Sequence, residues 1–332
     1  MDATAAAEIE LSGVRKEYAG GSVAVSHLDL HVPAGSLTVL VGPSGCGKST
    51  VLRMVNRLIA PTAGRILLDG EDTAKIDKVG LRRKIGYVIQ HVGLFPHQTV
   101  AQNVATVPKL LGWPKSRIKA RVEELLDLVG LDSGLHGKRY PHQLSGGQRQ
   151  RVGVARALAA DPVVLLMDEP FSAVDPIVRG RLQQEFLRLQ ETVRKTILLV
   201  THDVDEAVRL GDRIALLSEG GKLEQYAPPA ELLARPASAF VAEFVGADRG
   251  IKRLSVTTID PTMLRPMDDV DRDSPEVSAA ATLYDALAAL LEGGTGHVVV
   301  RSGEELLGAM TADDIYRAAQ ADGTTGTTGV AA

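Results

Sequence analysis

Apolar residues run along this chain in two rhythms. Short unbroken runs, Leu37-Thr38-Val39-Leu40-Val41, Val163 to Met167 and Thr196 to Val200, lack polar alternation, and each leads into a helix-like pattern. Runs of that kind read as parallel strands buried on both faces of an α/β sheet. From Gln90 to about Ala160 the rhythm turns helical, with stretches near 100–111, 115–129 and 146–160, which predicts an inserted helical subdomain over about 91–160. The first domain is therefore placed at 1–245. Over 246–275 the pattern loosens into Gly246-Ala247-Asp248-Arg249-Gly250 and an Asp-rich stretch with Pro261, Pro266 and Pro275, read as a linker. A small α/β unit is expected over 276–320: a helix near 282–292, strands near 297–301 and 306–310, and a helix from Thr311. Residues 321–332, rich in Gly and Thr, have nothing to bury and are expected to be disordered.

Composition narrows the function classes. A net charge of −4 argues against a nucleic-acid partner bound through a broad basic surface, and the run Arg82-Arg83-Lys84 reads as a solvated helix face. No stretch approaches the roughly 20 apolar residues of a membrane span, and the N-terminal residues lack a signal-peptide pattern, so a cytoplasmic location is expected. The single cysteine, Cys46, excludes an intrachain disulfide and any multi-cysteine metal site.

Chemistry concentrates in separated motifs. The strand ending at Val41 runs into Gly42-Pro43-Ser44-Gly45-Cys46-Gly47-Lys48-Ser49-Thr50, a complete GxxxxGK[ST] loop between a strand and a helix. Glycines there let backbone amides approach phosphates, the helix start favours anions, Lys48 reaches the β/γ-phosphates, and the Ser49 hydroxyl is a magnesium ligand. A second apolar strand delivers Asp168 and Glu169 at its end. Alone, such a pair is as often a charged strand end. Beside a phosphate loop it divides the labour, with Asp168 holding magnesium and Glu169 polarising the attacking water. Leu144-Ser145-Gly146-Gly147-Gln148, roughly twenty residues earlier, opens a helix with free amides and a hydroxyl, an anion site or a simple helix cap.

With these motifs in order, the chain resembles the nucleotide-binding subunits of ABC transporters over about residues 9–245. The resemblance implies an α/β P-loop NTPase fold, ATP and Mg2+ as ligands, and a dimer closed over two ATP molecules. It makes Leu144 to Gln148 the family signature, contacting the γ-phosphate on the opposite subunit. It also places Tyr18 against adenine, and it assigns Gln90 to sensing magnesium, the attacking water and the membrane partner. Asp175, in Ser172-Ala173-Val174-Asp175, falls in the loop crossing the dimer interface, and His202 meets the γ-phosphate.

The wording Tyr87-Val-Ile-Gln-His-Val-Gly-Leu-Phe-Pro-His97 is similar to ATPase subunits of bacterial osmoprotectant importers for glycine betaine, carnitine and choline. That branch implies transmembrane permease subunits, a substrate-binding protein, and a position on the cytoplasmic face of the membrane. Thr282-Leu-Tyr-Asp-Ala-Leu, His297-Val-Val-Val and Leu307 to Ile315 resemble one CBS repeat, a module usually paired, which leaves open whether a second subunit supplies the other half. By that resemblance Thr311 and Asp314 lie where an adenine nucleotide regulator is held; the pair is read in the first place as a plain helix start, with Thr311 as N-cap. An importer ATPase for another small solute, or a soluble ABC ATPase, stands as the alternative function.

Overall fold

The computed structural model describes residues 6–89, 93–172, 174–267, 270 and 273–320. Contacts divide the chain into two units, at Tyr226 and Ala227.

In the first unit the chain begins with β1 (Ile9–Glu17) and β2 (Val23–Val32), an antiparallel pair whose alternating burial marks one dry face. It then enters β3 (Leu37–Val41), the phosphate-type loop, and α1 (Lys48–Val55). β4 (Ala63–Leu68) and β5 (Glu71–Asp72) return to the first pair, completing a four-stranded sheet in the order β2-β1-β4-β5. α2 (Lys78–Lys84) leads into β6 (Ile85–Val88), and the helical segment follows: α3 (Val100–Val104), α4 (Thr106–Leu110), α5 (Lys115–Leu128), α6 (Ser133–His136) and α7 (Gly146–Leu158). β7 (Val164–Asp168), α8 (Pro176–Val193), β8 (Thr196–Val200), α9 (Val204–Leu210), β9 (Arg213–Ser218) and β10 (Lys222–Ala227) close the unit.

The second sheet has six strands in the order β10-β9-β3-β8-β7-β6. β3, β7 and β8 are buried at every position, as their unbroken apolar runs predict, and β9, β3, β8, β7 and β6 pair in parallel. In such sheets ligands gather beyond the carboxyl ends of the strands. The two sheets share one core, in which Ile9, Leu28 and Val32 of the first meet Leu40, Leu166 and Val200 of the second. The predicted helical stretches are all present, with 100–111 broken between α3 and α4 at Ala105.

The second unit starts earlier than the sequence suggests. α10 (Pro229–Ala234), α11 (Ala239–Val245) and α12 (Arg249–Leu254) precede β11 (Glu276–Ser278), α13 (Leu283–Gly293), β12 (Val298–Ser302), β13 (Glu305–Met310) and α14 (Ala312–Gln320). Its sheet runs β11-β12-β13, parallel then antiparallel. The stretch 246–275 is more than a linker: Leu254 and Ile259 are buried in one cluster with Leu283, Leu290, Val298, Met310 and Ile315. Burial of these two side chains, spaced too irregularly to show a period among Asp and Pro, ties the segment into the module. The expectation of disorder for 321–332 falls outside the described residues. Among the described residues, no helix is long and apolar enough to cross a membrane.

Candidate active site

The loop after β3 is shaped by two backbone constraints. Gly42 (φ 155°) and Gly47 (φ 105°) take left-handed conformations, and a Cβ there would stand 2.2 Å from the Leu217 carbonyl and 2.3 Å from the Ala24 carbonyl. No other residue fits at either position. Ser44 and Gly45 form the exposed tip, whereas Cys46 turns its side chain into the core, leaving only its backbone to face a ligand. Ser49 and Thr50 stand half-buried on the first turn of α1.

Lys48 is the loop's charge. It is only 6% exposed, and its Nζ donates to the carbonyls of Gly42 at 2.7 Å and Pro43 at 2.8 Å. Carbonyl dipoles solvate an ammonium without neutralising it, so the loop presents a buried cation to any anion entering it.

The carboxylates arrive from β7, two strands from β3. Ser49 Oγ donates to Asp168 Oδ1 at 2.8 Å, joining the helix after the loop to the end of that strand. Burial pushes the Asp168 carboxyl above its ordinary value, and the Ser49 hydrogen bond and nearby Arg53 oppose that rise. Tyr87, on the neighbouring strand β6, also bonds Asp168, and its phenol is pushed up to about 12, chiefly by burial. The next residue, Glu169, carries φ 46°, a strained value for a non-glycine residue. Its amide donates to the Val200 carbonyl at 2.9 Å, and its Oε1 lies 3.2 Å from Nδ1 of His202, which follows β8. Lys48, Ser49, Asp168, Glu169 and His202 thus converge at the carboxyl ends of adjoining strands.

Other predicted residues stand apart. Ser145 and Gln148 cap α7 reciprocally: Ser145 Oγ accepts from the Gln148 amide at 3.2 Å, and Gln148 Oε1 accepts from the Ser145 amide at 3.0 Å. Leu144 is buried, while Ser145 and Gly146 face solvent and Gly147 is half-buried. Among the described residues no hydrogen bond joins this loop to Lys48 or Asp168, whose contacts lie elsewhere within the chain. Tyr18 is an exposed ring beside Lys16 Nζ, in a turn closed by Gly21 N donating to its carbonyl. Asp175 immediately precedes α8. Gln90 lies outside the described residues.

Sequence reasoning missed Asn103. Fully buried on α3, its side-chain amide donates to the carbonyls of Phe95, Gln98 and Thr99, and its Oδ1 accepts from the Phe95 amide at 2.8 Å. It holds the segment downstream of Gln90, and Arg156 of α7 reaches the same segment by donating to the Gly93 carbonyl at 2.7 Å. The one available signal is a lone Asn at an apolar helix position, which does not say what it binds.

Comparison with known proteins agrees with this geometry. The family model described as "ABC transporter" matches residues 25–172. The glycine betaine/carnitine/choline transport ATP-binding protein OpuCA of Bacillus subtilis is 50% identical over 86% of this chain and 73% of its own length. This chain belongs to the ABC transporter ATP-binding proteins. As such a cassette it is also 56% identical to the osmoprotectant import ATP-binding protein OsmV of Salmonella typhimurium, over 72% of this chain and 64% of that protein. The glycine betaine uptake system ATP-binding protein YehX of Escherichia coli is 49% identical over 84% of this chain and 89% of its own length. Among solved structures, the dimeric post-hydrolysis state of the ATP-binding cassette MJ0796, bound to ADP and Pi, is 34% identical. It superposes with a TM-score of 0.59, covering 67% of this chain and 98% of its own. The expected P-loop ATPase cassette fold is confirmed.

Proposed function

We propose that this cassette hydrolyses ATP to drive import of a quaternary-ammonium osmoprotectant, glycine betaine, carnitine or choline, through a membrane permease. The observation that carries the chemistry is the convergence of buried Lys48 with the Ser49–Asp168 and Glu169–His202 pairs. The names borne by relatives at 49–56% identity support the substrate class.

Hydrolysis of a phosphoanhydride asks mainly for positioning and charge stabilisation. Lys48 and the loop amides hold the β- and γ-phosphate oxygens, and Tyr18 offers a ring face to adenine. Ser49 and Asp168 are hard oxygen donors 2.8 Å apart, a set that would hold Mg2+. Bound there, the ion would neutralise phosphate charge. Glu169 accepts a proton from water as its oxygen attacks the γ-phosphorus, and the bond to the ADP oxygen breaks. His202, oriented by Glu169, donates to the γ-phosphate. The signature of a second copy, Ser145 with the amides of Gly146 and Gly147, completes the site, a reading supported by the dimeric solved relatives.

A groove of about 370 Å3 lined by Arg82, Arg83, Tyr87, Gly93, Phe95 and Arg156 supports docking of a permease helix beside the strand that carries Tyr87. Through that permease the cassette works at the cytoplasmic face of the membrane, with Mg2+ATP as fuel and a substrate-binding protein delivering the solute. In the second unit, Asp314 is committed to a helix-start capping box with Thr311 and to Arg265, which favours the structural reading of that pair over a nucleotide site.

Uptake of radiolabelled glycine betaine, carnitine and choline by cells lacking the gene tests the proposal. Loss of uptake, restored by the wild type but not by Glu169→Gln, is the expected result. Undiminished uptake in cells with no second importer would remove the substrate assignment and leave another small solute as the cargo.

A further inference from the structure

Behind the site, α8 is fastened to the turn that bears His202. Arg179 donates through Nη2 to the Val174 carbonyl at 3.2 Å, and its Nη1 stands 3.7 Å from Asp203 Oδ2. One helical turn on, Gln183 Nε2 donates to Glu206 Oε1 at 3.1 Å. This second contact is dry, with Gln183 5% and Glu206 6% exposed.

The Glu206 carboxyl also accepts from the Thr201 hydroxyl. Thr201 Oγ in turn accepts from the Asp203 amide at 3.1 Å, and Asp203 Oδ1 accepts from the amides of Asp205 and Glu206 at 2.9 and 3.3 Å. Thr201, Asp203, Asp205 and Glu206, which flank His202, are thereby drawn into one hydrogen-bonded knot whose centre is a carboxyl kept from water. Burial raises that carboxyl's pKa, a sign that the fold carries a cost here that an apolar side chain of the same size would avoid. What an apolar contact lacks is direction, which hydrogen bonds supply.

We propose that Glu206 is a positioning residue for His202: through Gln183 and Thr201 it locks the 201–206 turn to α8, so that the Val174–Asp175 segment leading into α8 and His202 move as one body. The inference rests on the reading of His202 as a γ-phosphate contact and of Asp175 as a residue at the dimer interface. Its consequence is that arrival of the second copy at Asp175 sets the imidazole in place.

The test is a double-mutant cycle on the full-length chain, reading steady-state ATP hydrolysis, nucleotide affinity and thermal unfolding for Glu206→Leu, Glu206→Gln, His202→Ala and the Glu206→Leu/His202→Ala double variant. Displacing a positioned group typically costs about ten- to a hundredfold in rate, so Glu206→Leu should lower kcat by about that factor and leave nucleotide affinity within about twofold. Glu206→Gln, which keeps an oxygen for Gln183, should recover part of the rate. Adding Glu206→Leu to His202→Ala should lower the rate no further, because both act through one group. Full kcat in Glu206→Leu, or losses that multiply in the double variant, overturn the proposal. Normal turnover in His202→Ala would instead remove the reading of His202, and the brace with it. Should Glu206→Leu fail to fold, Gln183→Leu, which leaves the Thr201 bond intact, enters the same cycle with the same expected outcomes.

Discussion

Ser49 Oγ lies 2.8 Å from Asp168 Oδ1, a bond between residues 119 apart in the chain that spans the strand β8 separating their elements. It brings a hydroxyl from the phosphate loop and a carboxylate from the next motif into one oxygen-donor set. The same pair is the point at which loop shape becomes chemistry, and the loop's shape rests on its glycines.

Gly47→Ala should therefore abolish nucleotide binding more thoroughly than Gly45→Ala. A Cβ at 47 would sit 2.3 Å from the Ala24 carbonyl, whereas at 45 it meets nothing within 4 Å. Both positions have positive φ, so each variant carries backbone strain of about 1–3 kcal/mol, but only Gly47→Ala must also displace the loop. Titration with a fluorescent ATP analogue should show affinity reduced more than about tenfold for Gly47→Ala and less for Gly45→Ala.

Ser145→Ala should separate binding from turnover. Its hydroxyl is spent within its own chain on capping α7, a contact whose loss costs about 1 kcal/mol of stability. Nucleotide affinity should stay near that of the wild type, and the hydrolysis rate should fall about tenfold or more, as expected for loss of a donor to the reacting phosphate. Equal losses in both would place the signature beside its own phosphate loop.

In the second unit, Asp314 takes hydrogen bonds from Arg265 Nε at 2.6 Å and Nη2 at 2.8 Å. The guanidinium and the Thr311 donors hold its carboxyl well below its ordinary 3.8, against the opposing effect of burial. The native state then releases that proton more readily than the unfolded one, so the stabilisation is complete above the ordinary value and is lost as pH falls below it. Asp314→Asn should cost about 1–2 kcal/mol at neutral pH, limited by the half-exposed Arg265, with the gap to wild type closing in acid. Hydrogen exchange across 298–302 and 312–320, followed from neutral to acid pH, reads this out.

The strands that carry the site were legible because β3, β7 and β8 are buried on both faces, which removes polar alternation and leaves runs such as Val163 to Met167. Lys48, Asp168, Glu169 and His202 could be placed at strand ends from sequence alone. Their mutual contacts could not, since Ser49 meets Asp168 only through a strand order that no local pattern encodes. Asn103 and Glu206 escaped for a related reason: each is a polar residue inside a helix, with a partner outside that helix. The packed character of 246–275 was hidden because Leu254 and Ile259, which bury in one cluster with α13 and α14, stand among Asp, Pro and Arg without a period.

Phosphate release by the full-length protein with Mg2+ATP, measured beside nucleotide binding for the wild type and Glu169→Gln, decides whether Glu169 takes the proton of the attacking water. Glu169→Gln should bind ATP as tightly as the wild type while its turnover falls by at least about a hundredfold, because the proton of the attacking water loses its acceptor. Wild-type turnover in Glu169→Gln would contradict that role.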